Sequence, residues 1–284
     1  MRQAHPVPIA LTIAGSDSSG GAGIQADLKT FTVLGVYGAS VITALTAQNT
    51  RGVDAVEAIR PELVVAQLRS VLSDLNVAAV KTGMLATAAI VTAVAAELSR
   101  HGAGARPPLI VDPVMVATSG DPLIAGDAVA AIIGDLAPLA TLLTPNLAEA
   151  AAFLGGTQAE SERAAAAQAE ALYQLARCPV LLKGGHGTGA AVDLFFDGNE
   201  LVRFERPRLD TPHTHGTGCV LSAAIAALLA RGGGLRPAIA GAKAFVWQGL
   251  KSGASLGVGR GRGPVDCLFA IEAAAVGGDT AGEP

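Results

Sequence analysis

The sequence predicts an α/β protein built on a mostly parallel β-sheet. Short apolar runs rich in β-forming residues alternate with longer segments of helical periodicity, which is the pattern of stacked βα units. Two later runs, 190–196 and 201–205, are joined by Asp197-Gly198-Asn199 and predict an antiparallel hairpin. The other predicted strands lie at residues 9–14, 40–47, 78–82, 109–114, 141–145 and 180–183.

The segments between these strands predict helices. Apolar side chains recur on one helical face at 24–34 and again at 63–75. Residues 159–176 are rich in Ala, Glu and Gln and favour a helix, which Pro179 stops. Further helices are expected at 220–229, 236–252 and 266–275.

The chain shows no internal repeat and no linker long enough to divide it. A length of 284 residues is compatible with one large α/β domain. We therefore expect a single domain over residues 1–284, with a disordered tail at 276–284.

Composition excludes several classes of partner. The net charge of −4 offers no electrostatic basis for binding nucleic acid or an anionic membrane surface. No apolar run reaches membrane-spanning length, and no signal-peptide pattern opens the sequence. Cys178, Cys219 and Cys267 are widely spaced and odd in number, which argues against disulfides or a zinc site. We expect a soluble cytoplasmic protein.

Polar side chains follow the predicted strands at the point where each strand ends. In a parallel sheet these carboxyl ends meet at one edge, where ligands bind. The residues so placed are Asp17, Gln48, Asn49, Lys81, Asp112, Asn146, Glu149 and Lys183. Their common location predicts an active site at that edge.

The segment Thr214-His215-Gly216-Thr217-Gly218-Cys219 leads directly into an apolar helical stretch. Glycines at 216 and 218 let backbone N–H groups turn toward one point, and a helix N-terminus adds the positive end of its dipole. This pattern predicts an anion hole in front of Cys219, suited to a phosphoryl group in transfer.

The turn at residues 15–23 is also rich in glycine and joins a strand to a helix. It suits either close backbone approach to a ligand or a flexible turn capped by Ser19. The sequence has no Gly-Lys-Ser/Thr of a P-loop and no dinucleotide-binding glycine spacing. A nucleotide would bind here without either motif.

Several candidate site residues each allow a structural and a functional interpretation. Asn146 and Glu149 have the spacing of a capping box, yet Glu149 could also hold Mg²⁺ or a metal-bound water. Asp112 is either a turn residue or a second acidic group for Mg²⁺–ATP. Lys183 is either a snorkelling residue at a strand end or the cation that neutralises transferred phosphate. Gln48 is either a loop residue or the amide that pairs with an aminated heterocycle.

Cys219 is either a small buried hydrophobe or a reactive thiol. A helix N-terminus favours the thiolate, which would act as a base or a nucleophile. His215 lies four residues earlier, but this spacing does not establish that the two side chains meet. No G-x-S-x-G or H-E-x-x-H motif supports a hydrolase.

Seven segments in fixed order make the sequence closely resemble the hydroxymethylpyrimidine/phosphomethylpyrimidine kinases of thiamine biosynthesis, a ribokinase-like family. The resemblance spans nearly all of residues 8–265. The segments are AGSDSSGGAGIQADLKT (14–30), VITALTAQNT (41–50), KTGML (81–85), SGDPL (119–123), TPN (144–146), KGGH (183–186) and THGTGC (214–219).

The resemblance implies a sheet flanked by helices on both faces, and ATP-dependent phosphorylation of 4-amino-5-hydroxymethyl-2-methylpyrimidine and then of its monophosphate. It also implies a homodimer and Mg²⁺. Gln48 would bind the pyrimidine, with Gly15, Asp27, Met84 and Val114 around it.

By the same resemblance, Lys183 would contact the nucleotide phosphates, and Asp112 and Glu149 the metal region. Gly216, Gly218 and Cys219 would form the anion hole. Asn146, in the segment TPN, and Thr217, in the segment THGTGC, would also bind the nucleotide.

Three positions depart from the family pattern. Thr118 stands where relatives often have lysine, His213 replaces a frequent asparagine, and Asp266-Cys267 replaces a common histidine. These changes concern the nucleotide side and leave Gln48 and the anion hole intact.

The sequence therefore predicts a two-step aminopyrimidine kinase. The nearest alternative is a pyridoxal kinase, because pyridoxal also carries a hydroxymethyl group on a six-membered heteroaromatic ring. An alternative of another class is a sensor that binds the pyrimidine without phosphorylating it. Closure over the site is expected from the hairpin near residue 190 or from residues 253–263.

Overall fold

The computed structural model describes residues 6–101, 106–115, 126–184, 189–269 and 271. Within these ranges, nine strands form one sheet: β1 (Ile9–Ser16), β2 (Tyr37–Asn49), β3 (Gly52–Ala58), β4 (Val77–Thr82), β5 (Leu109–Val111), β6 (Leu142–Leu143), β7 (Val180–Leu182), β8 (Ala191–Phe196) and β9 (Leu201–Arg206). Their order is β3-β2-β1-β4-β5-β6-β7-β8-β9. The predicted strands are confirmed, several with shifted ends.

The six central strands, from β2 through β7 in this order, pair in parallel. β8 and β9 form the predicted antiparallel hairpin at one edge. β3 pairs antiparallel with β2 at the other edge and was absent from the sequence prediction. Most of its residues are exposed, so it lacks the apolar alternation that marks a strand buried on one face.

Eight α-helices cover both faces of the sheet among the described residues. They are α1 (Gly23–Val33), α2 (Pro61–Asp74), α3 (Ala88–His101), α4 (Gly126–Ala131), α5 (Leu147–Leu154), α6 (Glu162–Ala176), α7 (Thr217–Ala230) and α8 (Leu235–Gly253). A π turn at Ile132–Leu136 and a 3₁₀ turn at Ala137–Leu139 follow α4. The predicted α/β fold with helices on both faces is confirmed.

Among the described residues, the two larger of three apolar clusters lie on opposite faces of the sheet. One contains Ile90 and Val94 of α3, and the other contains α7, whose residues 220–227 are all buried. A helix that is apolar on every side belongs in an interior, where each face has a partner. Burial of α7 places its N-terminus at the carboxyl edge of the sheet.

Some helix ends differ from the predictions. α6 starts at Glu162 rather than residue 159, because the Ser161 hydroxyl caps it by accepting from the N–H of Ala164 at 3.2 Å. Residues 266–268 are not helical, whereas Phe269 and Ile271 are, and the rest of the predicted last helix lies outside the described residues. The predicted tail at 276–284 also lies outside them.

The described part of the chain contains no helix long and apolar enough to cross a membrane. All three cysteines are free thiols, as predicted.

Candidate active site

A cavity of about 590 Å³ opens at the carboxyl edge of the sheet. It lies among the ends of β1, β2, β4, β5 and β7 and the start of α7, which is the edge that the sequence predicted. The candidate residues that line it are Gly15, Gln48, Met84, Asp112, Val114, Asn146, Glu149, Lys183, Gly216, Thr217, Gly218 and Cys219.

Lys183 and Asp112 form an ion pair in the cavity wall. The Nζ of Lys183 lies 2.7 Å from Oδ1 of Asp112, and the hydroxyl of Ser222 donates to Oδ2 at 3.0 Å. Burial would raise the pKa of Asp112, but Lys183 and the neighbouring Lys81 outweigh it and lower that pKa. Asp112 is therefore a carboxylate at neutral pH.

Glu149 forms the predicted capping box with Asn146 and also lines the cavity, where its predicted role toward Mg²⁺ stays a prediction. Its backbone N–H donates to Oδ1 of Asn146 at 2.9 Å, and the N–H of Asn146 donates to its Oε2 at 2.7 Å. Its Oε2 also lies 3.9 Å from the Nζ of Lys183. Burial raises the pKa of Glu149 to about 7, against the pull of Lys183.

The N-terminus of α7 forms the cavity wall next to this ion pair. Gly216 is its N-cap, with a φ of 77°, a left-handed conformation that favours glycine. A side-chain carbon at Gly218 would lie only 3.2 Å from the Nζ of Lys183. The helix dipole, the first N–H groups and Lys183 thus converge on one region, at the place where the sequence predicts an anion hole.

Cys219 is the third residue of α7 and is partly buried. The expectation that the helix N-terminus favours its thiolate is wrong for the ligand-free protein. Desolvation raises the pKa of Cys219 to about 11, although Lys81 and a hydrogen bond from the backbone N–H of Gly23 lower it. Burial in this wall outweighs the attraction of the thiolate to Lys81.

Gln48 lies at the other part of the cavity, near the end of β2. Its backbone is fixed by Ser18, whose hydroxyl donates to Gln48 O at 2.8 Å and accepts from Gln48 N at 2.9 Å. Its side-chain oxygen accepts from the Thr46 hydroxyl at 3.3 Å. The backbone of Gln48 is thus held in place at the cavity wall, and its amide group carries both donors and an acceptor.

Gly15, Met84 and Val114 line the same cavity. The N–H of Gly15 donates to Met84 O at 3.1 Å, and a side-chain carbon at Gly15 would lie 2.4 Å from Met84 Cε. A larger residue at position 15 would therefore require the end of the Met84 side chain to shift.

Asp27 is the predicted substrate contact that does not line the cavity. It is fully buried beneath the wall, where its two oxygens lie 2.9 and 2.8 Å from the Nζ of Lys81 and the Thr12 hydroxyl donates at 2.6 Å. A carboxylate with no water must be paired, and Lys81 provides that pair. Any effect of Asp27 on substrate would pass through Lys81, which does line the cavity.

Sequence reasoning placed Lys81 at the sheet edge but assigned it no role. It is a fully buried cation, and Asp27, Cys219 and Asp112 raise its pKa although burial lowers it. The signal available in the sequence was a lysine that ends a buried strand and precedes Gly83.

The pair of Asp17 and His215 was also missed. The Nε2 of His215 lies 2.8 Å from Oδ2 of Asp17, and both side chains are buried. Burial would raise the pKa of Asp17, but hydrogen bonds from His215 and Ser19 lower it to about 2. The spacing of His215 and Cys219 did not establish whether the two side chains meet. In the structure, the Nε2 of His215 points to Asp17.

A further ion pair lies at the end of the cavity formed by the β8–β9 hairpin and α8. The Nζ of Lys243 lies 2.5 Å from Asp193 Oδ2, whose other oxygen accepts from the N–H of Gly184 at 2.9 Å. Trp247 lines this end as well. The predicted motifs at 119–123 and 185–186, and Thr118, lie outside the described residues.

Within the described residues, no three or more His, Cys, Asp or Glu side chains gather as a metal site. Asp112 and Glu149 are two carboxylates beside the predicted anion hole. Mg²⁺ commonly uses one or two carboxylates together with phosphate oxygens and waters, so this pair fits a metal that arrives with a nucleotide.

The fold and this cavity define a small-molecule kinase of the ribokinase-like type. The family described as "Phosphomethylpyrimidine kinase" matches residues 17–266. A hydroxymethylpyrimidine/phosphomethylpyrimidine kinase of Rhizobium meliloti (strain 1021) is 57% identical over 258 residues, which cover 90% of this chain and 96% of that protein.

Two solved structures extend the comparison. Bacillus subtilis pyridoxal kinase, in an ADP complex, superposes with a TM-score of 0.85 at 36% identity and covers 94% of this chain and 99% of its own. Phosphomethylpyrimidine kinase of Clostridium difficile 630 has a TM-score of 0.74 at 39% identity, with 86% and 99% covered. The chain belongs to the phosphomethylpyrimidine kinase family and, as a kinase, uses ATP as its co-substrate.

Proposed function

We propose that this chain transfers the γ-phosphoryl group of ATP to 4-amino-5-hydroxymethyl-2-methylpyrimidine and then phosphorylates the resulting monophosphate. One observation carries the proposal. A single cavity holds the amide of Gln48 in one part and the Lys183–Asp112 pair beside the α7 N-terminus in another. The name and 57% identity of the Rhizobium meliloti relative support the same substrate.

Each group has a chemical task in this proposal. Gln48 recognises the aminopyrimidine, because its amide both donates to a ring nitrogen and accepts from an amine. Lys183 and the N–H groups of residues 216–219 stabilise the charge that spreads over the transferred phosphoryl oxygens. Gly15, Met84 and Val114 enclose the ring.

Asp112 and Glu149 would hold Mg²⁺ when the nucleotide is bound. The ion would neutralise part of the phosphate charge, as it does in other phosphoryl transfers. In the chain itself, Lys183 keeps Asp112 ionised, whereas burial keeps much of Glu149 protonated near neutral pH.

The direct test is to supply ATP and Mg²⁺ with either the pyrimidine alcohol or its monophosphate, and to follow ADP and both products. We expect turnover of both acceptors and the diphosphate as the final product. Acceptor-dependent ADP formation also tests the sensor alternative, which predicts binding of the pyrimidine with no ATP consumed.

Pyridoxal kinase is the second candidate, because the Bacillus subtilis enzyme of that name superposes closely on this chain. Comparing kcat/KM for pyridoxal and for the pyrimidine alcohol separates the two functions. We expect the pyrimidine to be the better acceptor, since the Gln48 amide matches its amine and ring nitrogen.

We also propose a cytoplasmic homodimer with one kinase domain over residues 1–284. The exposed side chains of Leu45 and Ala47 on β2 and of Ala55 on β3 share one face of this sheet edge and offer an apolar surface for a second copy. Light scattering on the purified protein tests the dimer, and Leu45→Lys should shift the mass toward the monomer.

A further inference from the structure

The glycine-rich turn after β1 and the loop before α7 meet at one buried carboxylate. Oδ2 of Asp17 accepts from the N–H groups of Gly21 and Ala22 at 3.2 and 2.8 Å. The same oxygen lies 2.8 Å from the Nε2 of His215, which is 198 residues away in the chain. Because an ionised carboxylate only accepts, His215 must carry a hydrogen on Nε2.

The two loops are also in direct contact, with no space between them. A side-chain carbon at Gly216 would lie 1.9 Å from the carbonyl oxygen of Gly21. A carbon at Gly21 would lie 2.4 Å from Cδ2 of His215. The junction therefore has one closely packed arrangement, with the Asp17 carboxylate at its centre.

This junction connects the starts of two helices. Gly23, the first residue of α1, directs its backbone N–H to Cys219 in the first turn of α7. Ala22, whose N–H is held by Asp17, immediately precedes Gly23, and His215 immediately precedes Gly216. The position of each helix start thus depends on a residue bound to the same pair.

We propose that Asp17 and His215 are a positioning pair that holds the start of α1 against the start of α7. The pair keeps the Gly23 N–H on Cys219 and fixes the N–H groups of α7 relative to Lys183. It transfers no proton to substrate. Its kinetic consequence rests on the kinase function proposed above, whereas its effect on Cys219 does not.

The kinetic test is a double-mutant cycle of Asp17→Asn, His215→Leu and both together. We expect each single variant to lower kcat by about 10- to 100-fold, because small misplacements of a phosphoryl-binding group are costly. The double variant should lose about as much kcat as the more damaging single variant, since the residues act as one unit. Losses that multiply in the double variant would overturn the proposal.

Two further variants separate positioning from general damage to the fold. His215→Gln retains an N–H donor near the position of Nε2 and should recover most of kcat. Ser19→Ala removes another donor to Asp17, at 2.7 Å, without cutting the link to His215, and should change kcat by less than about threefold. Urea unfolding identifies conditions in which all variants are folded, and kcat is measured under those conditions. If the kcat losses of Asp17→Asn and His215→Leu vanish there, the proposal is contradicted.

A measurement without substrates makes the result independent of the acceptor. Iodoacetamide alkylation of Cys219, followed by peptide mass spectrometry near pH 9, reports on its thiolate. In Asp17→Asn, loss of the Gly23 N–H should slow alkylation several-fold, and in Ser19→Ala it should not. An unchanged or faster rate of Cys219 alkylation in Asp17→Asn would overturn the positioning role of the pair. Failure to phosphorylate the pyrimidine would overturn only the proposed function.

Discussion

The Nζ of Lys183 lies 2.7 Å from Oδ1 of Asp112, although the two residues are 71 positions apart in the sequence. They meet because β5 and β7 end at the same edge of the sheet, on either side of β6. The pair faces the N-terminus of α7, so its charge belongs to the site and not to a surface contact.

Replacing Lys183 with methionine should lower kcat by at least about 100-fold for both acceptors, because each transfer needs its phosphoryl charge neutralised. Steady-state kinetics with the alcohol and the monophosphate measure this loss. Lys251→Met removes an exposed lysine of α8 and is the matched control, with kcat expected to stay unchanged. A loss confined to one acceptor would contradict a shared role in both transfers.

Glu149→Gln should stabilise the metal-free protein at high pH. Burial raises the pKa of Glu149 to about 7 in the folded state, above the value of 4.5 for an unperturbed glutamate. The folded protein therefore binds more protons between these pH values, and its stability falls there as pH rises.

Below pH 4.5 the wild type and variant should respond alike to pH. Above pH 7 the variant should gain up to about 3 kcal/mol relative to the wild type. Urea unfolding across this range measures the difference, and parallel pH curves would contradict it.

Cys219→Ala should impair the first transfer more than the second. The alcohol of the first acceptor must lose a proton, which Cys219 accepts only in its minor thiolate form while its pKa stands at about 11. The monophosphate needs no such step, because it is mostly a dianion at neutral pH, its second pKa being about 6. Separate kcat/KM values for the two acceptors test this hypothesis. Equal losses in both steps would show that Cys219 contributes to the anion hole alone.

Lys81→Met should destabilise the fold by about 3–5 kcal/mol, because it leaves the carboxylate of Asp27 buried without a cation. The double variant Lys81→Met/Asp27→Leu should recover much of that loss by removing the charge as well. Denaturant unfolding measures both. If the double variant were less stable by the sum of the two single effects, the pair would not be the cause.

Gly216→Ala should be far more damaging than Gly35→Ala. Both glycines have left-handed backbones, with φ of 77° and 74°, so both substitutions cost about 1 kcal/mol in strain. Only at Gly216 would the added carbon meet another atom, at 1.9 Å from Gly21 O, whereas Gly35 has open space. The midpoint temperature of thermal unfolding and kcat should therefore both fall much more for Gly216→Ala than for Gly35→Ala.

The order of strands and helices could be predicted because buried strands and amphipathic helices leave periodic patterns. β3 was missed because most of its residues are exposed and carry little apolar pattern. Gln48, Asp112, Glu149 and Lys183 could be placed together because each follows a strand that was itself recognisable. Their separate roles still depend on the experiments above.

The sequence by itself determined the fold class, the edge of the sheet that carries the cavity and the family of the protein. Only the tertiary structure decided which polar side chains pair: Asp27 with Lys81, Asp17 with His215 and Asp193 with Lys243. Such pairs join residues 54, 198 and 50 positions apart, and their formation depends on strand order and on how helices pack across the sheet. Spacing along the chain encodes local geometry, whereas burial of a charge, and hence the raised pKa of Cys219, arises only after the chain has folded.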